Sequence, residues 1–214
     1  MNSYSAESNT NTADFMFLGG HPCLDFVNTE MMVQEQRTDL LTNPERLLEW
    51  LETTSLVTAE TANWVRQGWL DDGSGALVLE QARTLRQMLR TMFDQIIDGT
   101  TVDPAIITAI NAYLAVQALQ LNLVQHAHDF DAEWVLMPRE PQHILASIAA
   151  ITVDLLTAGE QRRIKRCENP SCIRYFYDTT RNHSRRWCSM EQCGNRMKVA
   201  AYYRRKRPQQ KGSD

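Results

Sequence analysis

Residues 167–193 read CENPSCIRYFYDTTRNHSRRWCSMEQC: two pairs of cysteines, each with a four-residue gap, separated by fifteen residues. Two close pairs at this separation form a four-cysteine zinc pattern, here with gaps longer than the commoner two residues. Zinc takes four thiolates in a tetrahedron, so each pair supplies two ligands from one tight turn and the intervening segment brings the turns together. Four filled positions leave no open site, which makes the metal structural rather than catalytic. Asn169-Pro170-Ser171 favours a turn inside the first pair. Arg174–Tyr177 and Arg185–Trp187 are expected to pair as a hairpin between the ligand pairs, with a helix from Gly194-Asn195 to about Arg207. A knuckle, a hairpin and a ligand-bearing helix start together predict a treble-clef-like zinc finger. So small a module buries too little apolar surface to fold alone, so metal binding supplies folding energy. The alternatives are buried unligated cysteines or disulfides.

Charge is distributed very unevenly around this stretch. Residues 1–160 hold 7 Lys and Arg against 22 Asp and Glu, whereas residues 161–214 hold 15 against 4. The net charge of −4 therefore hides a basic C-terminal part and an acidic remainder, which suggests two modules with different partners. Some cations offset the formal −2 of a metal held by four thiolates, but fourteen Lys and Arg between Arg162 and Arg207 exceed that need. Arg181, Arg185, Arg186, Arg196, Lys198, Arg204 and Arg205 are interleaved with Tyr175, Tyr177, Tyr202 and Tyr203. Cations for phosphates beside aromatics for sugars or bases are a nucleic-acid signature. Phe176 and Trp187 are expected to form the small core of the module.

The stretch from Arg166 to Arg196 closely resembles the CGNR zinc finger, a family named for the residues that stand here as Cys193-Gly194-Asn195-Arg196. Upstream, Gly20 and the run Leu24-Asp25-Phe26-Val27-Asn28-Thr29 resemble the opening of the ABATE domain that commonly precedes this finger. The resemblance implies a bacterial stress-induced transcription regulator that binds DNA and zinc. It carries over Cys167, Cys172, Cys188 and Cys193 as ligands of one zinc ion, and Arg181, Arg185, Arg186 and Arg196 as motif arginines. Val199–Tyr203 interrupts the charges of the last helix, a departure from the family's more evenly basic pattern.

The rest of the 214-residue chain reads as mainly helical. Asn43-Pro44 pairs an N-cap residue with proline at the first helical position, and Thr58 can cap the next helix. A long helix is expected from about Ala76 to Ile97, with Leu79, Ala82, Leu85, Leu89, Met92, Phe93 and Ile96 as its buried stripe. Asp103-Pro104 starts another. Leu119, Leu121 and Leu123 alternate with polar residues, and Phe130–Leu136 does so more loosely, which predicts a β-hairpin. Gln142–Ala158 is apolar on most sides and should be the central core helix. The fold class is therefore mainly α with a small β-hairpin, followed by the finger. The boundaries fall at a polar lead-in 1–13, an acidic helical domain 14–160, the finger 161–207 and a tail 208–214.

His21, Asp25 and Asn28 stand near Gly19-Gly20 and could line a small-molecule pocket, or they could cap and turn the backbone. His126 and His128, with Asp129 and Asp131, fall at the expected hairpin turn, where solvated side chains are the better reading. Cys23 reads as a small core residue. No nucleotide-binding glycine fingerprint, P-loop or nucleophile elbow is present, so the chain is not expected to be an enzyme. There is no run of 18 apolar residues and no export signal at the N-terminus, which predicts a cytoplasmic chain without a membrane span. These features together read as a DNA-binding regulator, expected as a homodimer because operators commonly present two half-sites. The rival reading is a protein-interaction or RNA-binding zinc module.

Overall fold

The computed structural model describes residues 14–116, 119–136 and 138–206; the expected lead-in 1–13 and tail 208–214 lie outside them. The chain runs through α1 (Pro22–Val27), a β-hairpin of β1 (Glu30–Val33) and β2 (Gln36–Asp39), then α2 (Pro44–Thr53), α3 (Ala59–Asp72), α4 (Gly75–Ile97) and α5 (Pro104–Ala115). A second hairpin, β3 (Leu119–His126) and β4 (Asp129–Leu136), precedes α6 (Ala146–Ala158), and β5 (Ile164–Arg166), β6 (Tyr175–Tyr177) and α7 (Asn195–Lys206) complete it. This is the mainly α architecture with small antiparallel hairpins that the hydrophobic periodicity implied.

Local rules place most helix boundaries. Asn43 accepts from the Arg46 amide at 2.9 Å, Thr58 from Thr61 at 3.1 Å and Asp103 from Ala105 at 2.8 Å, each satisfying a donor that the first turn leaves open. Gly73 ends α3 at φ 71°, a left-handed backbone that costs glycine little. The segment expected to be one core helix is a short 3-10 turn, Pro141–Leu145, leading into α6. By length and composition Pro141–Ala158 could cross a membrane. Here its Ile144, Leu145, Ile148 and Leu155 pack in the core with α1, α2 and α4.

α4 is the spine of that core. The stripe read from the sequence is buried from Leu79 to Phe93, and Ile96 is partly buried. Two arginines on the same helix are buried as well. Arg86 donates to both Asp39 carboxylate oxygens at 2.7 and 2.6 Å and to Thr29 at 2.9 Å. Arg90 reaches the carbonyls of Val27 at 3.0 Å and Ile173 at 2.8 Å, so it ties the N-terminal hairpin region to the segment after Cys172. Ile164 and Tyr175 belong to the main core, and the Tyr175 and Phe93 rings lie 6.0 Å apart. The strands that frame the first cysteine pair therefore pack on α4.

One expected pairing differs. Tyr175–Tyr177 pairs with Ile164–Arg166, upstream of the first cysteine, and not with Arg185–Trp187. The Cys167 amide donates to the Arg174 carbonyl at 2.9 Å, so the knuckle closes as the turn between β5 and β6. The Arg185 amide instead donates to the buried Asp178 carboxylate at 3.0 Å, which takes it out of any ladder.

Candidate metal centre and basic face

Two turns bring the four cysteines together. The first holds Asn169, whose carbonyl accepts from the Cys172 amide at 2.9 Å and whose side chain accepts from Ser171 at 3.1 Å. The second is a single wide turn, Met190–Gly194, capped by Ser189, and it runs directly into α7. The sulfurs of Cys167, Cys172, Cys188 and Cys193 all lie within 4.8 Å of one another. Cys172 and Cys188 are 3.8 Å apart, and Cys188 and Cys193 are 3.7 Å apart. A zinc–sulfur bond of about 2.3 Å makes the edge of a regular ZnS4 tetrahedron about 3.8 Å. A disulfide needs about 2.05 Å. The set fits one zinc ion, which when bound ties the two turns together and contributes folding free energy.

The surroundings suit thiolates. The Cys188 amide points at the Cys167 sulfur at 3.4 Å, and the Asn169 side-chain amide at the Cys193 sulfur at 3.3 Å. Phe176 is fully buried against the ligands, and Trp187 packs beside it. These two side chains form the expected small core.

A second node shapes the loop between the ligand pairs. Asp178 is fully buried. Burial alone would raise its carboxyl, but donors from Lys165, Thr180 and Arg185 hold it well below the usual carboxylate range. Lys165 Nζ lies 2.7 Å away and the Thr180 amide 3.0 Å. Arg185 closes the loop: its guanidinium donates to the carbonyls of Leu18, Tyr177, Trp187 and Cys188 and stacks over Phe176 at 4.4 Å. Its donors are thus engaged within the protein.

The other candidate cations are exposed. Arg181, Arg186, Arg196, Lys198, Arg204 and Arg205 all face solvent, Arg186 beside Glu168 at 2.6 Å and over the Trp187 ring. α7 buries none of its twelve residues.

His21, Asp25 and Asn28 are engaged with backbone. His21 caps α1 and meets Asp154 at 3.2 Å. Asp25 accepts from the Gly19 amide at 2.7 Å, and burial pushes its carboxyl up from 3.8 to about 6. Asn28 donates to the Tyr175 carbonyl at 2.8 Å and accepts from the Tyr175 amide at 2.9 Å, so one side chain lines the outer edge of β6 like a fragment of strand. Beside it, the Tyr177 amide donates to the Gly19 carbonyl at 2.7 Å. His126, paired with Asp131 at 3.8 Å, and His128 are exposed at the hairpin turn, and among the described residues the cysteines alone form a metal-ligand cluster.

Sequence reasoning placed the Asn169 turn but missed Asp178, Arg86, Arg90 and Arg174 as structural polar groups. The asparagine-proline pair inside the knuckle was the one local signal.

Residues 20–159 match the family ABATE, described as "Putative stress-induced transcription regulator". The chain belongs to the ABATE family. Residues 163–206 match the CGNR zinc finger, so the metal-binding cluster is the ligand set of a CGNR finger appended to the ABATE domain. No curated protein matches the chain. Neither family description names a catalytic activity.

Proposed function

We propose that this ABATE protein is a transcription regulator that binds duplex DNA through the exposed basic face of its CGNR finger. The observation that carries the reading is α7: twelve residues of which none is fully buried, presenting Arg196, Lys198, Arg204 and Arg205 to solvent from a start anchored at the last zinc ligand. Arg181 and Arg186, on the loop before Cys188, are exposed as well. Zinc fixes α7 relative to that loop, so the cations are held in register with phosphates rather than searching for them. The acidic residues concentrated upstream of the finger are repelled by DNA and suit a sensing or dimerising part. Two copies would read a two-fold operator.

The test is duplex-DNA binding by zinc-loaded protein, titrated across salt. Affinity should fall with a log–log slope of about −0.9 per neutralised phosphate. Replacing Arg204 and Arg205 by Ala should flatten the slope by about 2 while leaving the fold intact. Cys188→Ser should abolish zinc and binding together. Zinc at one per chain with no DNA affinity at low salt would exclude the reading. A second reading has its own support: Tyr202 and Tyr203 are 47 % and 65 % exposed, and bases of a single strand stack on such rings. Tighter competition by single strands than by duplex would favour it.

A further inference from the structure

Arg174 is only 5 % exposed, yet its guanidinium has poor acceptors. Among the described residues it has one oxygen partner, Gln192 Oε1 at 2.9 Å, and two thioether sulfurs, Met16 Sδ at 3.0 Å and Met31 Sδ at 3.3 Å; its Nε has none. A thioether sulfur is a weak acceptor, and buried donors that lack good acceptors cost free energy. Arg174 follows Cys172 and Gln192 precedes Cys193, so this group bridges both ligand turns. The Gln192 side-chain amide also points at Met16 Sδ, at 3.9 Å.

We propose that Met16 is an oxidation site whose sulfoxide is captured by Arg174. The chemistry needs a hydroperoxide oxidant. Its O–O bond breaks, one oxygen forms an S–O bond with Met16 Sδ, sulfur loses two electrons and the remainder leaves as water or an alcohol. The product oxygen is a strong acceptor where a weak one stood, next to donors already aimed at the sulfur. Access differs between the two methionines. Met31 is 7 % exposed. Met16 is partly exposed; both methionines line an open recess of about 280 Å3 with Gln192, Cys193 and Arg196, so it is surface exposure that favours Met16. Methionine has three rotatable bonds, so the sulfur can withdraw to admit the oxygen.

Methionine oxidation ordinarily loosens packed structure, because it makes an apolar group polar. At Met16 the sign reverses. Segment 16–19 already straps the finger, since the Leu18 carbonyl accepts from Arg185 and the Gly19 carbonyl from Tyr177. A sulfoxide held by Arg174 tightens that strap against both zinc turns, and methionine sulfoxide reductase releases it.

The experiment compares zinc-loaded wild type with Met16→Leu, each with and without dilute hydrogen peroxide. Peptide mass mapping reads the added oxygen, with the exposed Met190 as reference, and circular dichroism reads the thermal midpoint. Peroxide damage to the thiolates affects both proteins and cancels in the comparison. The expected result is a Met16 sulfoxide, with the change on oxidation more favourable in wild type than in the variant by about 2–4 °C. Reductase treatment should remove the difference. Met16 still unoxidised once Met190 is fully converted would overturn the proposal. So would an oxidised wild type that loses as much midpoint as the variant, or more.

Discussion

Replacing Asn28 by Leu tests whether the ABATE domain and the CGNR finger stand or fall together. Asn28 is 3 % exposed and Tyr175 also 3 %. Leucine is of similar bulk but offers no polar atom, so the Tyr175 amide and carbonyl would both be buried without partners. Each such group costs about 1–3 kcal/mol, or roughly 2–6 kcal/mol for the two. That is a large fraction of a typical stability of about 5–15 kcal/mol. At about 2–4 °C per kcal/mol for a chain of this size, the thermal midpoint should fall by at least about 4 °C. Asn28→Asp keeps the acceptor for the Tyr175 amide but sets a carboxylate against its carbonyl, and should fall as far or further. The assay is thermal unfolding of zinc-loaded protein, followed by far-ultraviolet circular dichroism and, in parallel, by zinc release to a chromogenic chelator. The two signals should move together, because Ile164 and Tyr175 sit in the same core as α4. A midpoint lowered by less than about 2 °C, or zinc release that separates from the loss of helix, would refute the reasoning.

Asp25 and the first hairpin give two further tests. Because the folded Asp25 carboxyl titrates near 6 rather than at 3.8, its ionised form is disfavoured in the fold. It therefore lowers stability above pH 6 by up to about 3 kcal/mol, and this cost vanishes as pH falls below the unfolded value. Asp25→Asn should show its most favourable urea midpoint relative to wild type near pH 7.5, the gap narrowing toward pH 4.5; a gap independent of pH would count against the assignment. Gln34 and Glu35 turn the β1–β2 hairpin at φ 50° and 66°, a backbone that suits an asparagine followed by a glycine. The double substitution Gln34→Asn with Glu35→Gly should raise the thermal midpoint by a few degrees, since left-handed non-glycine residues cost about 1–2 kcal/mol each; an unchanged or lower midpoint would contradict this.

Much of the chain is legible in the sequence alone. The cysteine spacing implies the metal cluster because ligand pairs are local: a four-residue gap closes one turn whatever lies elsewhere. The same holds for the caps at Asn43, Thr58 and Asp103, for the apolar stripe of α4, and for the alternation that becomes β3 and β4. The β1–β2 hairpin is not legible, because Gln34-Glu35 carries no turn signal and its left-handed backbone is imposed by the strands on either side. Strand β5 is hidden for a related reason. Ile164-Lys165-Arg166 reads as basic leader, and only pairing with Tyr175–Tyr177 makes it a strand.

The arginines divide most clearly. Sequence alone sorts them only by segment, a few in the acidic part and most in the basic one. Tertiary structure separates exposed Arg181, Arg196, Arg204 and Arg205 from Arg86, Arg90, Arg174 and Arg185, whose guanidiniums are used inside the protein. The reason is the geometry of the donor. A guanidinium presents five N–H groups in a fixed fork, and its role depends on which acceptors the folded chain brings to it. For Arg185 one of those is the carbonyl of Leu18, 167 positions away. Local pattern carries the elements and the metal, while acceptors gathered from across the chain decide which cations remain free to meet another molecule.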